Sequence, residues 1–264
     1  MVATVRPMMR CVSMSSAVRG QYEEHSYPVW LSFSPPAGPT SFSHRTRQRF
    51  PSILTNTLDL DHPRILVAGC GTGRQAIDAA IRHLGCSVLA VDVSRASLSF
   101  AIRRAEELRV QNIEFFQADI LAMGSLDERF DLIECSGVLH HMVEPLAGWQ
   151  VLIGLLKPKG LMRIGLYSEM ARKSFKTLRN SIVSAADPEQ IANQIRVHRR
   201  DILTRPLSAS ESVVIRMEDF YSLSGCRDLL FHAHELGFSL PALADTLSRL
   251  NLKFLVFEGL SPKL

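Results

Sequence analysis

Three closely spaced glycines, two aspartates at the ends of apolar runs and a pair of adjacent histidines are the residues best placed to do chemistry. Gly69, Gly71 and Gly73 fall in ILVAGCGTGRQA, where an apolar run gives way to a helical pattern. Glycine at such a turn tolerates positive φ and lets a ligand approach the backbone without meeting a Cβ. The helix that follows offers unpaired N–H groups. Asp92 ends the next apolar run, nineteen residues past Gly73, where a carboxylate can accept from both hydroxyls of an adenosine ribose or, alternatively, cap the next helix. Asp119 closes FQADI, placed to accept from an adenine amino group, with Ile120 offering an apolar edge to the ring. His140 and His141 follow a further apolar run; either could serve an acidic nucleophile as general base, or simply pack at a helix start.

The glycine turn suits three ligands: a phosphate, a dinucleotide and a sulfonium cofactor. A phosphate loop requires Lys-Ser or Lys-Thr directly after the glycines, and neither follows them here. The dinucleotide pattern fails when counted from Gly69 and passes when counted from Gly71, with Ala76 in the sixth place. NAD(P) therefore stays open on this motif, as does a tight turn in an enzyme that uses neither cofactor.

The elements that position these residues alternate. RILVAGC is a short continuous apolar run, the mark of a strand buried on both faces. TGRQAIDAAIRHLG has helical periodicity and stops at Gly85. SVLAVDV, NIEFFQADI, RFDLIECSG and KPKGLMRIGLYS read as further strands, with a helix after Ser94 as N-cap and another through VLHHMVEPLAGWQVLIGLL. Strand–helix alternation at this spacing implies right-handed crossovers and an α/β, doubly wound, mainly parallel sheet. After Ser168 the rhythm breaks into a mostly helical, basic insertion before SLPALADTLSRLN and a sixth strand, LKFLVFEG. The expected organisation is an irregular lead-in over 1–60, a core over 61–168, a helical basic cap over 169–239, and a last helix and strand over 240–264.

FFQADI and FDLIECSGVLHHMVEPLAGW separate the ligands that the glycine turn leaves in competition. With ILVAGCGTG, LAVDVS and LLKPKGLMRIG they occur in the order and spacing of the class I S-adenosylmethionine-dependent methyltransferases, which the chain resembles from about Arg64 to Ser168. More narrowly, QYEEHSYPVW and EDFYSLSGCRDLLFHAHELGFSLPAL resemble a bacterial group often found behind tetratricopeptide repeats, although no such repeat is present here. The resemblance implies a Rossmann-like fold and S-adenosyl-L-methionine as cofactor. It places Gly69, Gly71, Gly73, Asp92, Asp119, Ile120 and Ser136 around that cofactor, with His140 or His141 on the acceptor side. Tyr167 and Glu169 are further candidates for the acceptor pocket, and Tyr22, Tyr27 and Trp30 for a lid. Two positions depart from the pattern: Val67 stands where an acid usually helps hold the methionine amino group, and Pro158-Lys159-Gly160 replaces Pro-Gly-Gly on a surface turn. Seven strands are usual and six are counted, so a C-terminal truncation relative to the family is expected.

Several functions are disfavoured by what the chain carries. No D/N-P-P-Y follows the fourth strand, and Cys135 lacks a preceding proline, which turns the reading away from nucleic-acid bases and toward a small-molecule or peptide acceptor. Residues 172–205 hold eight Lys or Arg against Asp187, Glu189 and Asp201, more positive than the +4 of the whole chain; this is either a solvated helical face or an attraction for an anionic partner. His232 and His234 form an H-x-H without a convincing third ligand, so no metal is expected. Five scattered cysteines without C-x-x-C and no membrane-length apolar run indicate a reducing, cytoplasmic setting. The first nineteen residues, with three arginines and no acid, overlap in composition with a transit peptide. The function expected is methyl transfer by in-line displacement; an NAD(P)-dependent oxidoreductase and a non-catalytic binding protein of the same fold are the alternatives.

Overall fold

A computed structural model of the chain describes residues 6–7, 16–30, 32–34, 38–42, 44, 61–183 and 190–258. The elements, in chain order, begin with β1 (Arg6–Pro7), α1 (Ser16–Glu24), β2 (Arg64–Ala68), α2 (Arg74–Arg82), β3 (Ser87–Asp92), α3 (Arg95–Glu107) and β4 (Ile113–Gln117). They continue with β5 (Phe130–Ser136), α4 (Pro145–Gly154), β6 (Leu156–Gly165), α5 (Glu169–Val183), α6 (Ile191–Thr204), α7 (Ala209–Val214), α8 (Leu223–Leu230) and α9 (Leu240–Arg249).

Strand β2 is the centre of the sheet because its apolar residues have two faces to fill. Ile65 and Val67 pack with Ile77, Leu98 and Ala101 from α2 and α3. Leu66 and Ala68 turn the other way, toward Trp149 and Leu152 of α4. All strand pairs are parallel, in the order β1-β4-β3-β2-β5-β6. The chain therefore moves outward from β2 in one direction, then restarts at β5 on its other side. That reversal opens a crevice at the carboxyl ends of β2 and β5, the usual ligand site in such sheets.

Five of the six expected strands are present. The sixth, over 252–259, is not: Leu252–Phe257 is irregular. The rings of Phe254 and Phe257 lie 4.7 Å apart, a three-residue spacing incompatible with the two-residue alternation of a strand. The segment is tied to β6 by a side-chain contact, Arg163 Nε to Glu258 Oε2 at 2.6 Å. The two-residue β1, beside β4, was not foreseen.

Residues 16–24, inside the lead-in expected to be irregular, form a helix with Val18 and Gln21 buried three apart. Helices α5 to α8 enclose a core of their own around Phe175, Ile195, Phe220 and Leu230. The segment leaves and rejoins the sheet at one neck, where Phe238 N donates to Tyr167 O and Glu169 N donates to Phe238 O. Four of the eight basic residues of 172–205 have partners on the protein: Arg172 and Arg179 pair with Glu235, Arg205 with Asp201 and Glu211, and Arg199 donates to Tyr221 O. Among the described residues, no helix is long and apolar enough to cross a membrane, and Cys70, Cys86, Cys135 and Cys226 are free and buried.

Candidate active site

The turn after β2 needs its glycines. Gly69, Gly71 and Gly73 have φ of 73°, 52° and 86°, a region that non-glycine residues enter at a cost of roughly 1–2 kcal/mol. They are also crowded. A Cβ on Gly71 would stand 2.5 Å from the Tyr27 carbonyl oxygen, and one on Gly73 would stand 2.6 Å from Ala101 Cβ.

Asp92, at the end of β3, fixes the turn. Its Oδ2 accepts from Gly71 N at 2.7 Å and its Oδ1 from Ser94 N at 2.8 Å. Burial raises this carboxyl above the usual range, against the pull of those two N–H groups. Two of its roughly four lone-pair directions remain. Ser94 is the expected N-cap of α3, accepting from Ser97 N.

A cavity of about 730 Å³ opens beside this turn, the size of a small-ligand pocket. Gly69, Gly71, Asp92, Ile120, Ser136, His140 and His141 all line it, so the structure gathers seven of the nine expected residues on one wall system. Gly73 and Asp119 are not on that wall. Gly73 seats α3 against the turn, and Asp119 Oδ1 accepts from Leu121 N as the cap of a short 3-10 turn. Glu169 also lies elsewhere, its backbone packed on Gly237 at the neck.

The opposite wall is built from α1 and the helical segment. Tyr22 donates to Asp228 Oδ1 at 2.8 Å, Tyr167 to Asp228 Oδ2 at 3.2 Å, and Tyr27 to Asp219 Oδ1 at 3.1 Å. Burial, together with the neighbouring carboxylates, raises all three phenols. Burial also raises the Asp228 carboxyl to about 6. Trp30 lies beneath, donating to Thr72 O and Thr72 Oγ1. Asp228 is the cavity-lining candidate that sequence reading missed; its only signal was a lone acid inside the mostly apolar GCRDLLF.

The histidines have defined tautomers. His141 Nδ1 lies 2.8 Å from the His234 carbonyl, which can only accept, so the neutral ring leaves a lone pair on Nε2. His232 Nδ1 accepts from His234 N at 3.1 Å, so its proton sits on Nε2 and faces Tyr22 Oη at 3.1 Å. Neither nitrogen of His140 meets a hydrogen-bond partner; its ring lies 3.9 Å from that of Tyr167, tilted by 31°. Burial lowers His140 to about 3 and His141 to about 4, and lowers His232 as well. All three are neutral rings at physiological pH.

The H-x-H does acquire neighbours: donor atoms of His141, Asp228 and His232 lie within 4.8 Å of one another. The rings of His141 and His232 stack at 3.6 Å and 17°. An ion shared by both would sit well out of at least one ring plane, and His232 Nε2 carries a proton. Tyr22 joins Asp228 and His232 by hydrogen bonds, and His141 joins the group by stacking on His232.

A family model described as a methyltransferase domain matches residues 60–206, more than half of the chain. The chain belongs to the methyltransferase-domain family. An uncharacterised protein of Synechococcus sp. is 27% identical over 257 residues, covering 93% of this chain and 60% of that protein. A ubiquinone biosynthesis O-methyltransferase of Alkalilimnicola ehrlichii is 34% identical over 102 residues, 38% of this chain and 40% of that enzyme. The chain therefore spans well under two thirds of these curated relatives. Among solved structures, PKMT2 from Rickettsia typhi superposes with a TM-score of 0.59 at 19% identity over 81% of this chain and 44% of that one; the likeness establishes the class I, Rossmann-like fold. The cofactor of this methyltransferase domain is S-adenosylmethionine, and the nicotinamide reading of the glycine turn falls away.

The cavity fits that cofactor by the chemistry of its walls. Asp92 keeps acceptor capacity for hydroxyls, Val93, Ala118 and Ile120 offer apolar surface, and Arg74, Gln75 and Arg163 line the end near the turn. Val67, where an acid was expected, is wholly buried in the apolar core. Its register partner on β5 is Glu134, a buried carboxylate that accepts from Gln75 Nε2 at 2.8 Å and pairs with Arg163 at 3.5 Å. Glu134 therefore stands behind two residues of the cavity wall, one strand across from Val67.

Proposed function

We propose that this chain is an S-adenosylmethionine-dependent methyltransferase acting on a small-molecule or peptide side-chain acceptor. The observation that carries this reading is the shared cavity: Gly69, Gly71, Asp92, Ile120, Ser136, His140 and His141 line it together with Tyr167 and Asp228.

The cofactor supplies an activated methyl group, so the protein's work is positioning in a space closed to water. Asp92 holds the sugar edge, Ile120 the base, and Arg74, Gln75 and Arg163 the amino-acid tail, with Glu134 orienting the last two. His141 presents its Nε2 lone pair to an incoming nucleophile and aligns it; Asp228 is the stronger proton acceptor of the pair. Segment 169–239 is the cap that closes the acceptor side, and α1 is the strap that joins it to the core.

The test is calorimetry with S-adenosylhomocysteine, S-adenosylmethionine and NAD(P). Binding of the first two alone, weakened at least tenfold in Asp92→Ala, supports the reading, while uptake of NAD(P) instead refutes it. Binding without methyl transfer to any component of a host lysate refutes catalysis and leaves a binding protein.

A further inference from the structure

The acceptor side of the cavity presents lone pairs and very few protons. The hydroxyl protons of Tyr22 and Tyr167 are both committed to Asp228, and that of Tyr27 to Asp219. The Nδ1 proton of His141 goes to the His234 carbonyl, and the Nε2 proton of His232 to Tyr22 Oη. What remains toward the cavity is acceptor capacity: on the Asp228 carboxylate, on the Tyr167 and Tyr27 oxygens, and on His141 Nε2. Neutral His140 is the exception, with one N–H.

Asp228 is also buried without an ion pair among the described residues. Arg172 and Arg179 of α5 line a neighbouring cavity and pair with Glu235 instead, Arg172 acting on the Asp228 carboxyl only through its field. A carboxylate in that position costs free energy unless a charged or strongly donating group meets it. An anionic or carbonyl guest would meet lone pairs with lone pairs. An alcohol brings a single donor and no charge. A primary or secondary ammonium brings two or three N–H donors and the missing counter-charge.

We infer that the methyl acceptor is an aliphatic amine, bound as its ammonium with Asp228 as anchor and Tyr167 and His141 as further hydrogen-bond acceptors. This rests on the methyl-transfer reading above and names its substrate class. The ammonium gives one proton to an Asp228 oxygen, which turns a buried ion pair into two neutral groups. The nitrogen lone pair then forms the new N–C bond while the methyl carbon's bond to sulfur breaks, with that electron pair remaining on sulfur. The product is an N-methylammonium, a neutral thioether and a protonated Asp228. The carboxyl proton leaves to solvent on product release.

The experiment uses the full chain saturated with S-adenosylhomocysteine and follows thermal unfolding with propylammonium chloride, 1-propanol or sodium propionate at matched ionic strength. Propylammonium alone raises Tm, and Asp228→Asn removes that rise while its affinity for S-adenosylhomocysteine stays within threefold of the parent. Equal responses to the three probes, no response to propylammonium, or a response that survives in Asp228→Asn overturns the assignment. If Asp228→Asn does not fold, the ranking of the three probes on the unaltered protein decides. Failure to bind S-adenosylhomocysteine at all is read separately and removes the methyltransferase reading, and this inference with it.

Discussion

Tyr22 Oη sits 2.8 Å from Asp228 Oδ1 although 206 positions separate them in sequence. The same tyrosine's carbonyl accepts from Ser94 Oγ at 3.0 Å, so one residue joins the sheet's ligand edge to the helical segment. Glu23 beside it accepts from Arg95 N and Ala96 N, both at 3.0 Å, at the positive end of α3. Tyr22→Phe deletes one donor to a buried carboxylate. Expected is a loss of about 1–3 kcal/mol in denaturant unfolding and faster proteolysis between residues 16 and 30. Unchanged stability and protection would show that the hydroxyl bridge does not hold the strap.

The pH dependence of stability follows from the same cluster. His140, His141 and His232 have folded pKa values lowered by burial, to about 3 and about 4 for the first two. Their stabilising share is present above the unfolded value near 6.5 and is lost as pH falls below it. Asp228 acts oppositely: its folded value of about 6 exceeds the unfolded value of about 3.9, so its share is gained as pH falls through that window. Near pH 5 the three rings take up a proton on unfolding while Asp228 releases one, a net uptake of about two. Unfolding free energy therefore falls between pH 7 and 5. His140→Phe should flatten that slope by about one proton, read from denaturant curves at several pH values.

Gly71→Ala should be the most damaging of the three turn substitutions. It forces a side chain into φ of 52° and against the Tyr27 carbonyl at 2.5 Å, a backbone atom that yields only if the strap moves. Expected are a stability loss of roughly 1–2 kcal/mol from the dihedral alone and a further loss of affinity for S-adenosylhomocysteine. Calorimetry on the folded variant checks both. An alanine accepted with unaltered affinity would mean that the strap lies elsewhere in solution.

Lys159 carries a φ of 65° and is exposed within β6, at the register shift between Leu156 and Leu161, rather than on the separate surface turn expected from Pro158-Lys159-Gly160. Lys159→Gly should stabilise by about 0.5–1 kcal/mol by relieving the left-handed backbone, with no change in cofactor affinity. Thermal and denaturant unfolding of the pair measure it.

The sheet was legible because its signal is local: apolar runs such as Ile65–Ala68 punctuated by glycine and capped helices. The turn side of the cavity was legible for the same reason, as Asp92, Gly69 and Gly71 sit at fixed offsets from strand ends. Asp119 and Gly73 were placed in the right neighbourhood, yet their contacts are with backbone and helix, which spacing alone cannot separate from ligand contact. The acceptor wall was only partly legible. Tyr22, Tyr167, His141 and Asp228 come from four distant stretches, and nothing local to GCRDLLF reveals that two tyrosines will meet its aspartate. The irregular course of Leu252–Phe257 was missed because apolar composition alone does not distinguish a strand from a coil that packs along one.

The placement of α1 sets an order on synthesis. This helix leaves the ribosome before these partners: Ser94 lies 72 residues after Tyr22 and Asp228 lies 206 residues after it. A growing polypeptide can assemble the sheet and its glycine bend with the strap still undocked. The wall that Tyr22 and Asp228 share thus forms only once Asp228 has been made, and shorter nascent chains cannot complete it.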